Sequence, residues 1–239
     1  LDSLFKGLAA GEIKGKEQAA AISVIAKVGS VEDLNRLLAL TKENKISPAI
    51  ALAALLETKK IGKRQPSKGT ELITELLDST DPALYHKAAL LSGLWKIEPA
   101  RQKLIDTFVD SKSPAAKRQA AAEGLRSFGG KQAIAIFEKM VRESQTDSIK
   151  ALAVKELANL NPGLAAMSAV AILAQDSTGS DPHGLYDVFL KNPKASTALA
   201  KALKGQKLPR NIASTGVQRA GTSGIPPKDL ISALLKAGD

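Results

Sequence analysis

The 239-residue sequence predicts an all-α chain: an α-α superhelix, a solenoid in which about five to six antiparallel helix pairs stack in a row and end in a degenerate C-terminal cap. Three observations predict it. There are 38 alanines and 32 leucines but only one Trp, two Tyr and five Phe, a balance that suits helices, because strands draw on β-branched and aromatic residues. Turn residues punctuate the chain at near-regular spacing. Between them, apolar residues recur with helical periodicity.

Each unit begins with a polar turn, often Asp or Ser followed by Pro. An Ala-rich amphipathic helix follows, then Gly or Asn, then a second helix. The first pair covers 18–29 and 31–40. The second starts at Ser47-Pro48 and pairs with 71–77. The third runs from Asp81-Pro82 to Trp95 and pairs with 101–109. The fourth starts at Ser113-Pro114 and pairs with 132–142. The fifth starts at Asp147-Ser148 and pairs with 164–173.

Pro in the first turn forfeits an N–H that has no intrahelical partner. A preceding Asp or Ser can cap the free N–H groups. Gly29 and Gly129 suit the left-handed position that ends a helix. The apolar anchors near the ends of the first helices are Ile25, Leu55, Leu94, Leu125 and Leu157, at intervals of 30, 39, 31 and 32 residues. The long interval holds 59–68, an insertion of about 8 residues, which in a solenoid maps to a loop on one face. A single pair cannot bury its own apolar stripe, so the pairs must stack.

The helix-start turns Asp81-Pro82, Ser113-Pro114 and Asp147-Ser148, with the Ala-rich run from Lys117 to Leu125, resemble HEAT-type repeats. The short Ala-rich variety of phycobilisome-lyase-like HEAT proteins is the nearest pattern. The resemblance covers about residues 13–175. It implies an armadillo-like stack and no particular chemistry, because such folds host many functions.

After residue 175 the texture changes. A polar loop leads into short helical stretches at 185–190, 195–203 and 229–237, with one more short helix between 209 and 223. We therefore divide the chain into HEAT-like repeats over 1–175 and an irregular, basic helical cap over 176–239. The segments 184–190, 198–209 and 227–238 resemble the central region of large planctomycete- and verrucomicrobia-type membrane-bound dehydrogenases with a haem-binding domain. That resemblance implies a piece of a larger, exported or periplasmic protein, with haem carried elsewhere in the parent and no cofactor in this segment. The absence of an initiating Met also leads us to expect a fragment or processed form.

The chain has no Cys, and its two histidines, His86 and His183, are far apart. Disulfides, thiol catalysis and a His-rich metal site are therefore not expected. No apolar run is long enough to span a membrane, the longest being the 12 residues of 163–174. His183, beside a turn, fits a solvated loop histidine. Glu71 with Glu75, and Asp106 with Asp110, stand four apart on one helical face, as an ordinary exposed face also requires. No Gly-x-Ser-x-Gly or strand-preceded glycine loop occurs. No catalytic residue is expected.

The net charge is +10 and is unevenly spread. Lys59, Lys60, Lys63, Arg64 and Lys68 form a basic run without an acid, and residues 181–239 carry nine basic and four acidic groups. The remainder is balanced. The basic run is one candidate binding site, for an acidic partner. Tyr85, His86 and Trp95 on the third first helix form a second candidate, an aromatic and histidine surface.

Two functions fit this pattern. In the first, the chain is a non-catalytic helical-repeat scaffold for protein–protein or interdomain contacts. In the second, it is a basic nucleic-acid-binding protein similar to the HEAT-like alkylpurine DNA glycosylases. One Trp and balanced charge over 69–180 equip it poorly for that. The repeat assignment predicts that Leu125→Ala destabilises the protein by about 2–5 kcal/mol. Lys63→Ala should change stability by no more than ~0.5 kcal/mol. Thermal melts of the two variants check the ordering.

Overall fold

The computed structural model describes residues 1–57, 64–144, 146–175 and 181–239, and these fold into fifteen α-helices with no strand among them. The chain forms two compact units, 1–128 and 129–239. The boundary falls between the two helices expected to make the fourth pair. The change of texture at 175 lies inside the second unit.

The first unit contains α1 (Asp2–Ala10), α2 (Gly15–Val28), α3 (Val31–Lys42), α4 (Pro48–Glu57), α5 (Glu71–Glu75, extended by a 3-10 turn, Leu76–Asp78), α6 (Pro82–Leu94), α7 (Glu98–Val109) and α8 (Ala115–Phe128). The first helices of the pairs form one layer, α2 on α4 on α6 on α8. Helices α3, α5 and α7 pack behind it. This is the stack of helix pairs that the repeat spacing predicts.

Helix α1 was not foreseen, since no residue with a capping side chain precedes it and it spans only nine residues. Burial of Phe5 and Leu8 holds it. Arg36 of α3 adds a guanidinium 4.0 Å from the Phe5 ring centroid and an ion pair to Asp2 at 2.8 Å.

Helix starts follow local chemistry. Ser30 and Asp33 form a reciprocal capping box on α3, the Asp33 N–H donating to Ser30 Oγ and the Ser30 N–H to Asp33 Oδ2. Asp81 accepts from the N–H groups of Ala83 and Leu84. Ser113 instead donates its hydroxyl to Asp110. Asp147 lies inside the first turn of α10, after Thr146.

Two expectations are corrected. Gly29 is not left-handed: its φ is −64° and its ψ 154°. It is a glycine for room, because a Cβ there would lie 2.5 Å from the Ile25 carbonyl oxygen. Gly129, at φ 65°, does take the positive-φ backbone. Leu94 is only half-buried, and its neighbours Leu91 and Trp95 fill the core in its place. The other anchors, Ile25, Leu55, Leu125 and Leu157, are buried.

The tightest approach joins α6 and α8. A Cβ on Gly93 would meet the Gly124 carbonyl oxygen at 2.1 Å, and a Cβ on Gly124 would meet the Ala89 carbonyl oxygen at 2.6 Å. Only glycine lets these backbones touch, and Ala88, Ala89, Ala120, Ala121 and Ala122 bury the flanks of the crossing.

The second unit contains α9 (Gly130–Glu143), α10 (Asp147–Leu160), α11 (Pro162–Leu173), α12 (Pro182–Leu190), α13 (Pro193–Ala202), α14 (Arg210–Gly221) and α15 (Lys228–Ala237). Helix α9 packs on α10. The layering then repeats, with α10, α12 and α14 on one side and α11, α13 and α15 on the other. Residues 182–237 thus supply two more helix pairs. Asn161 and Asn192 cap α11 and α13 ahead of Pro162 and Pro193. Tyr186 of α12, 1% exposed, packs on Gly216 of α14 and donates its hydroxyl to the Ile212 carbonyl at 3.1 Å. Arg219 grips Asp187 through two nitrogens, joining α14 to α12.

Gly93→Ala should cost about 1–3 kcal/mol or more, because α6 and α8 must part to admit the methyl group. Gly221→Ala, where nothing stands within 4 Å of the added Cβ, should be neutral or stabilising by up to about 1 kcal/mol. Denaturant unfolding of both variants measures the contrast.

Candidate functional site

In the first unit, α3, α5 and α7 cover one side of the first-helix layer. The helices α2, α4, α6 and α8 also carry exposed positions: Val24 on α2, Ala53 on α4, Ala83 on α6, and Ala116 with Gln119 on α8. On α6 and α8 these residues are small or uncharged, whereas α2 also exposes Lys16, Glu17 and Lys27.

A His–Glu pair stands in this face. His86 Nε2 lies 2.8 Å from Glu123 Oε2, bridging α6 and α8 across 37 residues. Gln119 donates to the other carboxylate oxygen at 3.0 Å. The His86 side chain is 45% exposed and that of Glu123 19%, so the imidazole faces outward and the carboxylate is recessed. Together with Pro82, Ala83, Ala116 and Ala120 they line a shallow groove of about 320 Å³. His86 was foreseen as a candidate. Glu123 was not, because only the stacking of α6 on α8 brings it near.

The other members of the expected aromatic surface do not join His86. Tyr85 is 1% exposed, and burial pushes its phenol above the ordinary value. Its ring lies under Lys117, whose ammonium is 5.1 Å from the centroid and donates to the Ser79 carbonyl at 2.7 Å. Trp95, 6% exposed, ends α6 and lines a separate cleft of about 660 Å³ with Thr70, Glu71, Lys96 and Lys103. Consecutive residues on a helix point about 100° apart, so Tyr85 and His86 cannot share a direction. Tyr85 and Trp95 do share the buried side, and a stacking platform on Tyr85 is therefore ruled out by its burial.

Of the basic run, Lys59, Lys60 and Lys63 lie outside the described residues. Arg64 serves the fold: its guanidinium donates to the carbonyls of Lys27 and Gly29 at the end of α2, where the helix dipole is negative. Lys68 has its N–H held by Asn35. That Asn35 side chain, 8% exposed, is satisfied at both ends. Its oxygen accepts from the Ser67 and Lys68 N–H groups, and its nitrogen donates to Ser67 Oγ and Glu32. Asn35 pins the returning end of the insertion, and no local motif announced it. Arg64 thus also acts as a helix-end clamp.

Carboxylates four residues apart are also engaged within the fold. Glu75 pairs with Lys42, Asp106 accepts from Gln102, and Asp110 accepts from the Lys112 N–H and the Ser113 hydroxyl. His183 is exposed in the first turn of α12. No cluster of three metal-ligating side chains occurs among the described residues, and no helix there is long and apolar enough to cross a membrane.

The hydrogen bonds from Lys112 and Ser113 hold the Asp110 carboxyl below its ordinary value. A lowered folded value stabilises the fold fully above the unfolded value of about 3.9 and loses that contribution as pH falls through the folded value. Asp110→Asn should therefore be less stable than the parent protein at neutral pH. The gap should narrow as pH falls through the lowered value of the folded carboxyl. Urea midpoints of the pair across that range give the measurement.

Comparison with known proteins agrees with the stack of helix pairs. No curated protein and no solved structure matches the chain. Residues 69–158, from just before α5 to near the end of α10, match the family model for HEAT repeats.

Proposed function

We propose that the protein is a non-catalytic scaffold that holds another protein against the first-helix face of its first unit. The observation that carries this is the face itself. Within the stack of α2, α4, α6 and α8, the helices α6 and α8 present Pro82, Ala83, Ala116 and Gln119 around His86, whose imidazole faces outward over the recessed Glu123 carboxylate. The match to HEAT repeats over 69–158 supports the same reading, since helical repeats commonly work by presenting extended binding surfaces. A non-catalytic role is also supported by Glu75 and Asp110, whose ion pair and hydrogen bonds join α3 to α5 and order the turn into α8.

The finer assignment, to the middle of a haem-carrying dehydrogenase-like protein, rests on the sequence resemblance of 184–238. In that assignment the scaffold keeps neighbouring domains in register. Extending the coding sequence in both directions tests it: a Cys-x-x-Cys-His downstream with a strand-rich segment upstream is the expected finding.

A photo-crosslinking side chain at Gln119 tests the face in extracts of the source cells. We expect a discrete adduct from position 119 and none from Gln102, which is exposed on α7. Ala116→Arg should abolish the adduct while shifting stability by no more than about 0.5 kcal/mol, as expected of an exposed site. Equal adducts from 119 and 102, or an adduct indifferent to Ala116→Arg, would place the contact elsewhere.

A further inference from the structure

The excess positive charge of the C-terminal region gathers along one seam of the second unit. Helices α13 and α15 lie side by side, and two clefts run along them. One, of about 670 Å³, is lined by Lys201, Lys204, Lys207 and Lys236 over a floor that includes the buried Ala200 and Leu203. The other, of about 520 Å³, is lined by Lys191 and Lys228 and by Ile225. Both include Thr197 and Asp229, so they adjoin as two parts of a groove along the α13–α15 seam. Six lysines face it, and Asp229 is the one carboxylate on either lining. None of the six makes an ion pair among the described residues.

One apolar feature also belongs to the groove. Ile225, 90% exposed, stands at the rim as the most exposed of the large hydrophobic side chains. The groove therefore offers cations beside one bare apolar side chain, the ingredients of a polypeptide site.

We propose that this groove binds an extended acidic segment of a partner protein, with carboxylates along the lysines and an apolar side chain against Ile225. Its length agrees. Helix α13 has ten residues, about 15 Å at 1.5 Å each, which an extended strand covers in about four or five residues. Electrostatic complementarity of this kind steers encounter and weakens with salt. The site is separate from the first-helix face, so either can fail while the other stands.

Fluorescence anisotropy of the full chain with a labelled peptide of Asp, Glu and one Leu, about six residues long, tests the groove. We expect binding at about 50 mM salt that falls roughly tenfold or more in Lys204→Glu/Lys236→Glu, and severalfold as salt rises to about 200 mM. Lys131→Glu/Lys139→Glu on α9 makes the same change in net charge and should leave binding within about twofold. Asp229→Asn should strengthen it, since it removes the opposing carboxylate. Circular dichroism confirms that each variant is folded. Equal loss in the α9 variant would reduce the effect to net charge and overturn the proposal. So would an oligothymidylate of the same charge that binds more tightly than the peptide and is lost in the same groove variant, since the groove would then be a nucleic-acid site.

Discussion

The contact between the backbones of α6 and α8 at Gly93 and Gly124 sets how closely the first helices of the first unit can lie. Where the two backbones touch, the surrounding alanines Ala88, Ala89, Ala120, Ala121 and Ala122 are buried, so small side chains suffice to fill an aromatic-poor core. The rest of the unit is consistent with that spacing. Helix α7 can pack behind both, Tyr85 can sit beneath Lys117, and Glu123 comes within hydrogen-bond reach of His86. In the second unit glycines also make room for neighbours: the Tyr186 ring fills the space a side chain on Gly216 would need, and a Cβ on Gly238 would meet the Ala213 Cβ at 2.6 Å.

Polar groups mostly serve to hold this packing in register. Arg64 closes the end of α2, Asn35 pins the far end of the insertion, Arg219 ties α14 to α12, and Asp110 orders the turn into α8. Arg64 and Asp110 act at helix ends, where carbonyl and N–H groups lack intrahelical partners, while Arg219 and Asn35 reach across about 32 residues to tie separate segments together. The lysines along α13 and α15 are different. They gather without acidic partners around an open groove, which is why charge there points outward to a ligand rather than inward to the fold.

Helix pairs were legible in the sequence because capping and breaking are local. Pro48, Asp81-Pro82, Pro162, Asn192-Pro193 and the Ser30–Asp33 box each act within one turn, and the observed helix starts follow them closely. Helix α1 was missed for the same reason, having no such signal ahead of it. Leu94 was misplaced as an anchor because Trp95, at the helix end, turns into the core and takes the space. The aromatic candidates also mixed two roles. Proximity along a helix does not give a shared direction, so Tyr85 went to the core while His86 faced outward.

By itself the sequence determined that the chain is helical, where most helices begin and end, and that the helices must pair and stack. These follow from backbone conformational preferences, capping within a turn and the need to bury apolar stripes. Only the tertiary structure decided which polar groups meet. His86 with Glu123, Arg64 with the end of α2, and the six lysines of the α13–α15 groove come together across gaps of about 35 residues or between separate helices. Such meetings depend on how far each helix is rotated and how closely it lies to the next. That is settled by the fit of side chains at contacts such as Gly93 on Gly124, which no local pattern encodes.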